Sequence, residues 1–169
     1  MARADISVIG VSGGSHPFRV AASATRGYAG EPMISAATYS SGVADVTTIV
    51  VLTDAKPVIG TDNFIGISSE NMKVDSAGTV VAHELSVTVP IPFTTRMRGK
   101  AKTTASVDTD SELLGILMDY VLFDLTAGVY TIDQTAAADT SGLQVRGGIP
   151  AKGLLDVVVD ARAMRADIS

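Results

Sequence analysis

One run in the chain has the spacing of a nucleophile site. Gly10-Val11-Ser12-Gly13-Gly14 fits the pattern Gly-x-Ser-x-Gly. That chemistry needs a strand, then a strained turn carrying the serine, then a helix. Here Gly14-Ser15-His16-Pro17 follows, and this run cannot open a stable helix. The serine therefore reads as part of a Gly/Ser loop. His83 is the remaining partner for a triad, but it stands beside Glu84 in a strand-like stretch, where a lone histidine is ordinarily structural.

Other chemistries are equally thin. His16 and His83 are the only imidazoles, and no third ligand accompanies them at metal spacing. Asp108-Thr109-Asp110-Ser111-Glu112 has the carboxylate density of a calcium loop but lacks the loop glycine and the later ligands. Helix capping explains it better. There is no cysteine, hence no thiolate nucleophile, disulfide or sulfur-ligated metal. No phosphate-cradling glycine motif is present. The expectation is a protein without catalytic residues, cofactor or metal.

The pointed feature is basic. Arg96, Arg98, Lys100 and Lys102 occupy alternate positions. In a strand they would line one face over about 20 Å. They are the candidate protein-contact residues, suited to an acidic surface on another subunit or on a second copy, such as Asp108 to Glu112. Charge pairing of that kind sets register more than affinity. A solvated edge strand guarded by cations is the competing reading.

Composition points the same way. The net charge is −5, which counts against a nucleic-acid binder. Only 18% of residues are charged and 46% are apolar, as expected where part of the surface is covered by a partner or by further copies. Abundant Ala, Val and Gly account for the same figures more simply. No signal-peptide pattern and no stretch of membrane-spanning length is found, so a soluble protein made in a cytoplasm is expected.

The elements that must position these residues are mostly strands. Ile6 to Val11 reads as a short strand and Ala21 to Ser41 is poor in large apolar side chains, so residues 1–27 read as an extended N-terminal arm, with Arg3, Ile6, Val8 and Phe18 as candidate contacts. Residues 28–169 read as a single β-rich domain. Val46 to Leu52 is dense in β-branched residues, and Phe64 to Ile67 forms another short strand. Asp75-Ser76-Ala77-Gly78 marks a hairpin turn. Leu85, Val87, Val89 and Ile91 alternate with polar residues and prolines, and Pro90 places that end at a sheet edge or out of the sheet. Thr109 and Glu112 form a capping box ahead of Leu113, Leu114, Ile116, Leu117 and Tyr120, which have helical spacing. Gly115 limits that helix to about three turns, passing into a strand near Val121 to Leu125. Tyr130 to Ile132, Leu143 to Val145 and Leu154 to Val159 are strand-like, with Gly147 to Pro150 and Lys152-Gly153 as turn material. The pattern predicts a small β-barrel or sandwich with one short helix. Arg-Ala-Asp-Ile-Ser occurs at both ends, from Arg3 and from Arg165, which coincidence explains best.

Several segments resemble the capsid decoration, or cement, proteins of tailed bacteriophages. They are Pro57-Val58-Ile59-Gly60 with Phe64-Ile65-Gly66-Ile67, and Asp139 with Gly142 to Val145 and Lys152 to Val159. The similarity spans roughly Gly42 to Asp160 and rests on motifs of low specificity. It implies a homo-oligomer, a dimer or trimer, on the outside of a virion shell. Its partner would be the major capsid protein, with assembly in the host cytoplasm and no contact with nucleic acid or membrane. A tail or fibre protein would share the composition. A carbohydrate- or host-surface-binding module is the alternative of a different class, and would need exposed aromatics.

Overall fold

The computed structural model describes residues 6–20, 28–35, 39–40, 43–44, 48–51, 64–79, 81, 84–126, 129–135 and 142–160. In chain order the early strands are β1 (Ile6–Ile9), β2 (Ser15–Val20), β3 (Pro32–Ser35), β4 (Tyr39–Ser40), β5 (Val43–Ala44) and β6 (Thr48–Val51). The later ones are β7 (Phe64–Ser68), β8 (Glu84–Thr88), β9 (Arg96–Lys100), β10 (Tyr120–Thr126), β11 (Val129–Asp133), β12 (Leu143–Ile149) and β13 (Leu154–Val159). A single α-helix among the described residues, α1 (Asp110–Gly115), precedes β10. The chain is a mainly β protein of the barrel or sandwich class.

Two assemblies carry the fold. One is a six-stranded sheet in the order β1-β9-β13-β12-β10-β11. It curls until the residue after β9 meets β11: Ala101 bridges Ile132, and the Lys102 N–H donates to the Ile132 carbonyl at 2.8 Å. The other is a closed barrel in the order β2-β6-β3-β7-β8. Closure removes the open edges that would otherwise recruit another chain.

Alternation decides what each face buries. In β9, Met97 and Gly99 are buried, while Arg96 and Lys100 are exposed and Arg98 is half-buried. Leu85 and Val87 of β8 enter the barrel core with Val20, Met33 and Met72. The larger core gathers Met97, Val121, Phe123, Tyr130, Ile132, Leu143, Val145, Leu155, Val157 and Val159. Phe64 and Ile67 of barrel strand β7 also pack into it, with Phe64 and Phe123 ring centroids 5.7 Å apart. Full burial of an aliphatic or aromatic side chain stabilises by roughly 1.5–3 kcal/mol, so these two residues tie barrel to sheet. A Cβ at Gly66 between them would collide with the Thr88 carbonyl, which explains the glycine.

Several expectations hold and several change. The strand over Leu85 and Val87 ends at Thr88, just ahead of Pro90. The 75–78 turn forms, with Asp75 Oδ1 accepting from the Ala77 and Thr79 N–H groups at 2.8 Å each. The segment expected as an arm is extended, but residues 6–20 are built into the fold. β1 pairs with β9, and β2 pairs with β6 and β8. Arg3 and both copies of the Arg-Ala-Asp start lie outside the described residues, as do Pro57 to Gly60, His83 and Asp139. Tyr120 does not continue the helix; it opens β10, because α1 stops at Gly115. Gly147 and Gly148 are not a turn. They lie inside β12, beside a bulge at Arg146.

Candidate docking surface

The outer face of the six-stranded sheet is set by β9 and its neighbours. Arg96 lies between Ile9 and Val158, Arg98 between Ser7 and Asp156, and Lys100 beside Leu154. Arg98 grips Asp156 with a two-pronged contact, Nε to Oδ1 at 2.6 Å and Nη2 to Oδ2 at 2.8 Å. Such fork-on-carboxylate pairs are among the stronger polar contacts. The hydrogen bonds that Arg98 donates to Asp156 raise its pKa above the ordinary value.

Lys102 belongs elsewhere. It lies past the end of β9, at the seam where the sheet curls shut. Its ammonium reaches Asp133 Oδ2 at 2.7 Å and Asp124 Oδ2 at 3.3 Å, and both carboxylates are buried. The hydrogen bonds to Asp133 and Asp124 raise the lysine pKa. Burial pushes Asp133 up, but the hydrogen bonds from Lys102 and Thr135 outweigh it and hold the carboxyl below its ordinary value. Of the four cations read as one stripe, Arg96 and Lys100 remain exposed, and no anionic partner engages them among the described residues.

Next to Arg96 an open cleft of about 540 Å³ crosses the sheet. Arg96, Arg146 and the buried Val158 form one part of it; Phe93, Thr94, Leu117 and Met118 form the rest. Arg146 is the extra residue of the bulge, since Val145 pairs with Val157 and Gly147 with Asp156. A bulge re-aims the side chain it carries. Arg146 Nη1 meets Met118 Sδ at 3.0 Å, while its Nε is buried without a partner. Nothing in the sequence signalled this arginine, because a bulge is a property of pairing and not of composition.

The remaining candidates lie elsewhere in the fold. Ile6 is buried, over Gly99 and inside the larger core. Val8 packs against that core, and Phe18 against the barrel core. Ser12 sits in the loop between β1 and β2, and its hydroxyl accepts from the Gly14 N–H at 3.3 Å. His16 Nε2 faces the Gly13 carbonyl at 3.0 Å, and no hydrogen bond joins Ser12 to a base among the described residues. Thr109 and Glu112 form the reciprocal capping box of α1. Among the described residues, no group of three or more His, Asp or Glu side chains is placed to hold a metal ion. No helix among them is long and apolar enough to cross a membrane.

No protein-family model matches the chain, and no curated protein matches its sequence.

Proposed function

We propose that this chain is a structural component of a tailed-bacteriophage virion, a decoration protein that binds the outside of the major capsid shell and reinforces it. The observation that supports this most is the cleft face of the sheet. Exposed cations and exposed apolar side chains stand together there on a chain of net charge −5. A rigid β scaffold with an apolar and cationic patch suits attachment to another protein surface. The segments similar to decoration proteins supply the capsid part of the reading. The docking surface is the sheet face around Arg96 and Lys100, and the chain acts as a dimer or trimer.

Mixing the purified protein with undecorated capsids and sedimenting them tests this. The protein is expected to pellet with the capsids, less so as salt rises, because exposed charges are screened. Failure to co-sediment at any salt concentration sinks the proposal. Tail-less heads separate it from the tail or fibre alternative, since a tail component stays in the supernatant.

A further inference from the structure

We infer that the cleft between Arg96 and Arg146 receives an extended segment of a partner protein that sets a carboxylate beside an aliphatic or aromatic side chain. The premise that a protein partner exists rests on the docking reading above; the nature of the partner's shell does not enter.

Charge gives the first argument. Arg98 is neutralised by Asp156, and Lys102 by Asp133 and Asp124. Both arginines of the cleft lack such a partner among the described residues. Among the described residues, the hydrogen bond of Arg146 goes to a thioether, a weak acceptor, and its buried Nε donor is idle. A carboxylate is the planar acceptor that a guanidinium fork fits.

The walls give the second. Phe93 is 56% exposed, Met118 47% and Leu117 39%, above a floor of buried Val158. Among the described residues, Phe93 and Met118 are the two non-glycine residues with positive φ, at 57° and 75°. The left-handed region is strained for any residue that carries a Cβ. Both are fixed by main-chain bonds, Phe93 N–H to the Val159 carbonyl at 2.8 Å and Met118 N–H to the Val145 carbonyl at 2.9 Å. Gln144 Nε2 also donates to the Met118 carbonyl at 2.8 Å. The fold thus holds two strained residues in place, and both border the same opening without burying their side chains. Strain of this kind marks binding sites when the surroundings enforce it.

Apolar walls with two cations favour an acidic, apolar peptide over a nucleic acid. A phosphate backbone would leave Phe93, Leu117 and Met118 without partners.

Methionine-methyl NMR on the full chain tests the inference directly. Met118 lies at the cleft, while Met33 and Met97 are fully buried and report on the fold. The probes are the synthetic octapeptide Glu-Glu-Leu-Leu-Glu-Glu-Leu-Leu, which when extended carries Glu and Leu side by side on each face, its Lys-for-Glu counterpart, a single-stranded oligodeoxynucleotide and free butyrate. The acidic peptide is expected to shift the Met118 methyl saturably and leave Met97 in place. Arg96→Gln is expected to weaken binding about tenfold, and Arg96→Gln with Arg146→Gln further. No saturable Met118 shift, an equal shift with the basic peptide, or unchanged affinity in Arg96→Gln overturns the inference. So does tighter binding of the oligonucleotide, or butyrate matching the peptide. The Met97 methyl shows whether the double variant still folds; where it does not, Arg96→Gln alone decides. Peptide binding without capsid binding removes the capsid proposal only. Capsid binding that survives Arg96→Gln and lacks any peptide counterpart removes the cleft only.

Discussion

Lys102 and Arg96 have the same charge and the same place in an alternating run, yet do opposite jobs. Lys102 sits where β11 closes on the end of β9, between two buried carboxylates. Removing Lys102 would take the counter-charge from two buried carboxylates, which is costly in a poorly solvated place. Arg96 has no such duty, so it is free to serve a partner. The clamp has a pH signature. The Asp133 carboxyl is held below its ordinary value, so its stabilisation is complete above the ordinary carboxylate range and is lost as pH falls through the folded value. The Lys102 pKa is raised, so its share is complete below the ordinary lysine value and is lost only as pH rises through the raised one. Asp133→Asn should therefore melt below the wild type at pH 7, and the gap should narrow as pH falls below about 4. Circular-dichroism melts at pH 7 and pH 3 check this; a gap of constant size would show that Asp133 is not ionically coupled.

At the scale of elements, local rules carried far and pairing rules did not. The alternation in β8 and β9 was legible because one face of each is buried. The capping box was legible because it spans only Thr109 to Glu112. That helix has six residues, too few to persist on propensity alone, so the cap and the packing of Leu113 and Ile116 must hold it. Thr109→Ala should cost about 1 kcal/mol. Amide exchange over Glu112 to Ile116 should accelerate while β12 and β13 stay protected, and unchanged exchange would mean that packing alone fixes the helix. Other elements were hidden. The short strand over Ile6 to Val11 was legible and is β1, but β2 was not, with only Phe18 and Val20 as large apolar residues, and the partners of both, β9 and β8, lie far along the chain. Gly147 and Gly148 looked like a turn because glycine punctuates loops; here the backbone of β13 passes close, and a Cβ at Gly148 would collide with the Leu154 carbonyl. Half of the cleft was equally invisible, since Arg146 and Met118 meet only through the bulge and the turn before β10.

For the whole molecule, the joint between barrel and sheet is the question that bears on function. A protein that reinforces a larger assembly must not yield between its own halves. The two cores are separate clusters, but Phe64 and Ile67 belong to a barrel strand and pack in the sheet's core. β1 and β2 cross the same joint from the other direction, with the Ile6 N–H donating to the Gly30 carbonyl at 3.1 Å. Deleting residues 2–20 would thus remove an edge strand and a barrel strand together, and the loss of binding that followed would report unfolding. Phe64→Ala is the cleaner probe. It opens a cavity against Phe123 and should cost about 3–5 kcal/mol. Because Ile67 and β1 also span the joint, calorimetry of the variant should still show a single transition at a lower temperature, with calorimetric and van't Hoff enthalpies equal. Two resolved transitions would mean that barrel and sheet melt separately once the ring is gone, and that Ile67 and β1 do not suffice to hold them together.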